Sequence, residues 1–152
     1  MKKETAKPLL YLSIVALAVF LFDVITKQII RINDVQTSGH ILDITYRTNV
    51  GSMFSFFIGV TAINIIFIVL SFLALGFLFY YARTQKKWKF IIPLGFLFGG
   101  IVGNLFDRIF FSSVIDWIDF HFWPIFNIAD CGIVLGVILL IWFTLEEEKK
   151  KR

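Results

Sequence analysis

Cysteine, histidine, proline and charge are all scarce in this 152-residue chain, and each shortage excludes something. Cys131 is the only cysteine, which leaves no disulfide framework and no cysteine-ligated metal site within one chain. His121 has no second His or Cys at ligand spacing, so no metal and no cofactor is expected. G-x-S-x-G, H-E-x-x-H and a Walker loop are all missing, as is any suggestive pairing of Cys with His, which removes the common serine, cysteine and zinc hydrolases and the P-loop enzymes. Internal repeats and linkers are absent too, so residues 1–152 read as a single domain.

Charged residues make up only 17% of the chain against 58% apolar, more hydrocarbon than a soluble domain of this size can hide. Four apolar runs account for the excess, at about residues 9–30, 61–82, 90–111 and 125–145. Each is near the ~20 residues that cross a bilayer core. The fold class expected is therefore an all-α polytopic membrane protein with four transmembrane helices. The first run follows MKKETAK, but it lacks a small-x-small cleavage site and continues into Asp23 and Lys27, so it reads as a retained helix and not a signal peptide.

Eleven of the fifteen Lys and Arg fall in residues 1–8, 83–89 and 146–152. The positive-inside rule makes these three segments cytoplasmic, and residues 33–58 and 112–126 extracytoplasmic. The basic balance reflects this topology and contact with membrane lipid; no basic groove or motif suggests nucleic acid.

Within Gly99–Asp130, five charged side chains and two Asn are set among Phe, Ile, Val and Trp, where ionised groups are costly without a task. Asn104, Asp107 and Arg108 follow i, i+3, i+4 spacing and share a helix face. Asn127 and Asp130 repeat the i, i+3 spacing where the fourth run opens, and an aromatic link with Asp116 and Asp119 joins the two. Two helix ends and a loop would thus gather several carboxylates. Gly95, Gly99 and Gly103 recur every four residues, which allows a neighbouring helix to approach closely. Asp23 and Lys27, one turn apart, are spaced for mutual neutralisation, anchoring their helix end or touching the loop that follows. Asn64 is the one strongly polar side chain of an otherwise plain second run.

Residues 33–58 change character: Ile41, Leu42, Ile44 and Tyr46 interleave with Asp43, Thr45 and Arg47, as in a short, partly alternating sheet outside the bilayer. Asn49-Val50-Gly51 reads as a turn or as a substrate-facing strand end.

Two carboxylates close together in a low-dielectric site share a proton, so one can activate water while the other protonates a carbonyl oxygen or leaving amine. Acid and base catalysis by Asp is the chemistry the residues offer. The residues alone do not choose between Asp116 and Asp119 as partner of Asp130. Arg108 reads as a positioning cation paired with Asp107 or a carbonyl, since its pKa is too high to release a proton.

The set Asp23-Val-Ile-Thr-Lys27, Asn49-Val-Gly51, Gly103-Asn104-Leu-Phe-Asp107-Arg108, Val114-Ile-Asp116 and Phe126-Asn127-Ile-Ala-Asp130 resembles the bacterial lipoprotein signal peptidases, signal peptidase II, in order along nearly the whole chain. That resemblance implies Asp116 and Asp130 as the catalytic aspartates at the outer ends of neighbouring helices. It implies Asn49, Gly51, Asn104, Arg108 and Asn127 near the substrate, and Asp23, Lys27 and Asp107 in support. It further implies a small extracytoplasmic β-cradle, no cofactor, and an aspartic endopeptidase of the inner membrane. Such an enzyme cleaves prolipoproteins before a diacylglyceryl-modified Cys, works as a monomer and is inhibited by globomycin-type cyclic peptides. The competing reading is a small ion- or proton-coupled transporter, which predicts carboxylates at several depths and broken spans. A non-catalytic lipid-binding or assembly protein is the third.

Overall fold

The computed structural model describes residues 3–51 and 60–151. Among the described residues, four helices and two strands follow one another as α1 (Lys3–Ile32), β1 (Asp43–Asn49), α2 (Val60–Thr84), α3 (Trp88–Phe111), β2 (Val114–Asp119) and α4 (Ile128–Lys149). All four helices are long and apolar enough to cross a membrane, so the expected class of four spanning helices with a small sheet describes the fold.

Helix α3 lies at the centre, packed against α1, α2 and α4. Two thirds of its apolar span (67%) is buried by protein, against 11%, 6% and 17% for α1, α2 and α4. Small residues explain the closeness. A Cβ at Gly99 would lie 2.5 Å from the Ala16 carbonyl oxygen of α1, and one at Gly100 would lie 2.3 Å from that of Ala129 on α4. Lipid tails are as apolar as the side chains, so the helices gain from backbone approach and dispersion contacts more than from burial. The outer faces stay apolar and exposed, among them Leu17, Phe72, Leu73, Ile138 and Trp142, the surface a bilayer would cover.

The two ends of the bundle differ. Near the α2–α3 turn, Leu12, Ala82, Ile91, Leu94 and Leu97 form an apolar core. At the opposite end the buried side chains include the polar set Asp23, Lys27, Asn104, Asp107, Asp116 and Asn127.

The sheet forms differently from the alternating segment expected within residues 33–58. β1 pairs antiparallel with β2, with Arg47 opposite Asp116 and Asn49 opposite Val114. The second strand thus comes from the aromatic link after α3. Inside residues 33–51 the only pairing is a single bridge, Gln36 to Thr45, and residues 52–58 of the expected segment lie outside the described residues. Backbone donors and acceptors of a lone strand need a partner, and the nearest one is supplied by the chain leaving α3. Ser112, in the left-handed region at φ 57°, closes α3 and turns it into β2. Helix α4 runs on to Lys149, so Glu146–Glu148 lie in its last turn.

Candidate active site

Asn127 starts the polar end. As N-cap of α4 its side-chain oxygen accepts the Asp130 N–H at 2.9 Å, and the Asp130 Oδ2 accepts the Asn127 N–H at 3.2 Å, a reciprocal capping box. Because the Asn127 oxygen is occupied by a donor, its amide NH2 must point the other way. It donates to Asp116 Oδ1 at 2.7 Å, to Asn104 Oδ1 at 3.1 Å and to the Ile115 carbonyl at 3.3 Å. One side chain therefore ties Asp116 on β2 to Asp130 on α4.

Two further amides are fixed in the same way. Asn49 Oδ1 accepts the Gly51 N–H at 2.8 Å, so its NH2 donates to Asp116 Oδ2 at 2.9 Å. Gly51 itself requires glycine: φ is +75°, and a Cβ would approach Phe67 to 2.9 Å. Asn104 Oδ1 accepts from Lys27 Nζ at 3.1 Å, so its NH2 donates to Asp130 Oδ1 at 2.8 Å. Each of the two carboxylates accordingly accepts two N–H donors.

Burial separates the pair. Asp116 is 3% exposed, and desolvation pushes its carboxyl up from 3.8 to about 6, helped by the charge of Asp130 and opposed by the amides of Asn49 and Asn127. Asp130 is half-buried and borders an apolar groove of about 440 Å³ lined by Trp123, Phe126, Val134 and Ile138 among others.

Below the pair lies a cluster that is almost completely buried. Lys27 Nζ meets Asp23 Oδ2 at 2.7 Å and Asp107 Oδ2 at 2.9 Å, its side chain and that of Asp23 fully buried. Both carboxylates also accept a backbone N–H: Asp107 that of Ile115 at 3.0 Å, Asp23 that of Ala129 at 2.8 Å.

A family model described as signal peptidase (SPase) II matches residues 15–146. The chain belongs to the signal peptidase II family. A protein of Halothermothrix orenii named lipoprotein signal peptidase is 37% identical over 110 residues, covering 72% of this chain and 74% of that protein. One of the same name from Syntrophus aciditrophicus is 32% identical over 158 residues, covering 95% and 98%. A bacterial membrane enzyme solved by the in meso method at 1.9 Å resolution is similar in structure, with a TM-score of 0.79 and 31% identity, over 87% of this chain and 90% of that one.

The motifs by which the chain resembles signal peptidase II converge at this end of the bundle, with one difference from expectation. Asp116 sits on strand β2 and not at a helix end, because the register with β1 carries it over the helix termini. Of the two partners expected for Arg108, the structure has a carbonyl and not Asp107. Arg108 donates to the Asn104 carbonyl at 3.2 Å and lies over the Phe67 ring at 4.7 Å, while Asp107 turns the other way along α3 to Lys27 and Ile115. Asp23 and Lys27 do neutralise each other, but they reach α3 and α4 and not the following loop.

Asn64 and Phe67 on α2 are participants that sequence reasoning missed. Asn64 donates to the Arg108 carbonyl at 3.2 Å, and a lone amide in an apolar span was the available signal. Asp119 accepts the His121 N–H at 2.7 Å, away from the pair. His121 meets Asp43 at 2.9 Å across the sheet margin. That contact raises the His121 pKa, and Asp43 is lowered by the Gly39 N–H first and by His121 second.

Proposed function

We propose that the chain is an aspartic endopeptidase of the bacterial cytoplasmic membrane that removes signal peptides from prolipoproteins, cutting just before the diacylglyceryl-modified Cys. The observation that carries the reading is the joining of Asp116 and Asp130 through the Asn127 side chain, within a family whose relatives are named lipoprotein signal peptidases.

In this reading Asp130, half-buried at the groove, is the ionised base that takes a proton from water. Asp116, whose burial favours the protonated form, gives its proton to the carbonyl oxygen; as the gem-diol collapses Asp116 takes that proton back, and Asp130 passes the proton it took from water to the leaving amine. Asn49 and Asn127 hold Asp116, Asn104 holds Asp130, and these amides with Gly51 and Arg108 face the peptide. The apolar groove beside Asp130 accommodates an acyl chain of the substrate. Asp23, Lys27 and Asp107 support the site. The enzyme works as a monomer without metal or cofactor and is blocked by globomycin-type cyclic peptides. Its termini and the α2–α3 turn are cytoplasmic, and the site faces the opposite side.

The test is incubation of purified protein with a lipobox peptide carrying the diacylglyceryl group and with the same peptide unmodified. Cleavage of the lipidated peptide before Cys is the expected result; no cleavage of it, or equal cleavage of both, would overturn the proposal. Labelling single cysteines placed at Ser38 and Gln85 tests the orientation, and reaction of both from one side of the membrane would exclude it.

A further inference from the structure

Among the described residues Lys27 is the one buried ammonium at the polar end: its Nζ forms ion pairs with Asp23 Oδ2 at 2.7 Å and Asp107 Oδ2 at 2.9 Å and donates a hydrogen bond to Asn104 Oδ1 at 3.1 Å. Charge neutralisation accounts for the first two contacts but not for the third. An ammonium can only donate, so the contact with Asn104 decides which end of that amide faces away, and the NH2 is left pointing at Asp130 Oδ1, 2.8 Å distant. Asn127 shares the Asn104 oxygen at 3.1 Å; without Lys27 one of that oxygen's two donors is gone, which brings within reach the flipped orientation, with a carbonyl oxygen set against Asp130. A carboxyl group facing a carbonyl must carry the proton to bond to it.

The two carboxylates on Lys27 have second tasks that reach the same pair. Asp107 holds the N–H of Ile115, the residue before Asp116. Asp23 holds the N–H of Ala129, the residue before Asp130. Gly103 makes room for this arrangement, since a Cβ there would lie 2.6 Å from Asp23 Oδ2.

Resting on the aspartic reading above, we infer that Lys27 is a positioning residue for the reaction: through Asn104 it keeps an N–H donor on Asp130, which holds Asp130 as the anionic base and leaves the shared proton on Asp116. Lys27 touches neither carboxylate of the pair and acts through the Asn104 amide. The charged groups around it are Asp23 on its own helix, Asp107 and the adjacent Arg108 on α3, Asp116 on β2 and Asp130 on α4.

Lys27→Met is the direct variant, and it strands two buried carboxylates. A second variant, Lys27→Met with Asp23→Asn, keeps the same single net negative charge in the cluster. It also keeps oxygen acceptors for the Ile115 and Ala129 N–H groups, and removes the Lys27 contacts with Asn104 and Asp107. Both are assayed on a lipidated lipobox peptide from pH 4 to 9, with cooperative thermal unfolding in detergent as the check on folding.

The expected result for the folded double variant is a kcat lower by about 10–100-fold, as for other partners that orient a reacting group. KM should be little changed, and the acid limb of the kcat profile should move to higher pH, because the base then needs a higher pH to lose its proton. A folded double variant with the parent kcat and acid limb would overturn the inference, and so would failure of both variants to fold, which would assign Lys27 to the fold alone. Asp130→Asn run alongside separates the two levels. If it still turns over, the aspartic reading fails; if it is inert while the double variant behaves as the parent, only the role of Lys27 fails.

Discussion

Both ends of the bundle join helices with ion pairs, but in opposite settings. At the α2–α3 turn, Lys87 and Lys89 meet Glu146 and Glu147, and Lys150 meets Glu146, with side chains between 22% and 69% exposed. The apolar core beside them, Leu12 to Leu97, already holds those helices together. At the other end Lys27, Asp23 and Asp107 are buried almost completely and stand where an apolar core would otherwise be. An exposed pair loses little when broken, because water replaces the partner. A buried charge left alone has no such replacement. A buried cluster is therefore a poor source of net stability and a strong source of fixed geometry, which suits it to the end where Asp116 and Asp130 must be positioned.

The sharpest way to separate the two ends is activity. Asp130→Asn and Asp116→Asn should each lower cleavage of a lipidated lipobox peptide by at least about 10²–10⁴-fold, since an amide can neither take a proton from water nor return one. Asp119→Asn, whose side chain bonds only to the His121 N–H among the described residues, should retain substantial turnover. An inert Asp119 variant beside an active Asp116 variant would reassign the pair.

Stability gives the next contrast. Asp107→Ala leaves Lys27 paired with Asp23 but removes the second carboxylate and the acceptor of the buried Ile115 N–H, so the expected loss is about 1–3 kcal/mol, read from unfolding in detergent. A loss below about 1 kcal/mol would mean that water reaches the cluster and that the two ends are alike.

The burial of Asp116 predicts a pH dependence confined to the site end. Its carboxyl is raised from 3.8 to about 6 in the folded protein, so it binds its proton more tightly folded than unfolded. That contribution to stability is fully present below the unfolded value near 4 and is lost as pH rises through about 6. Asp116→Asn has no proton to lose, so its Tm relative to the parent should rise between pH 4 and pH 7, by the equivalent of at most about 3 kcal/mol. A difference that is flat across that window would place Asp116 in a solvated environment.

Much of this contrast was legible in the sequence. Four apolar runs among sparse charge fix the helices, since backbone in a bilayer has few alternatives. The polar residues at Asn104, Asp107, Asp116, Asn127 and Asp130 marked the site by their cost in such surroundings. Partnership was not legible. Helical spacing put Asp107 and Arg108 on one face, yet Lys27, 80 positions earlier in the chain, takes Asp107. Alternation proposed a sheet inside residues 33–58, while the strand that pairs with β1 was hidden in an aromatic link. Periodicity reports which face of an element is apolar, and not which distant element meets it.

Packing at the two kinds of glycine sharpens the point further. A Cβ at Gly103 would lie 2.6 Å from Asp23 Oδ2, whereas one at Gly76 meets nothing within 4 Å. Gly103→Ala should destabilise by about 1–3 kcal/mol and depress activity with it, because the displaced Asp23 holds the Ala129 N–H before Asp130. Gly76→Ala should be neutral or stabilising by about 0.5–1 kcal/mol. Equal effects at the two positions would show that α3 shifts freely and that the cluster is not a fixed support.

The smallest effect belongs to the exposed end. Glu147 meets both Lys87 and Lys89, so Glu147→Gln removes the most connected member of that cluster while keeping its shape and its capacity to hydrogen-bond. Lys87 is 60% exposed and Lys89 still has Glu146, so neither ammonium is stranded, and the apolar core against Ala82 and Ile91 is untouched. The expected outcome is a Tm close to that of the parent at low salt, with any difference vanishing near 1 M salt, where screening shortens to about 3 Å. Peptide cleavage should be unchanged at both salt concentrations, because this cluster lies at the opposite end of the bundle from Asp116 and Asp130. A large, salt-independent fall in Tm would mean that the α3–α4 clasp is desolvated like the Lys27 cluster, and the distinction between a geometry-fixing end and a solvated end would be lost.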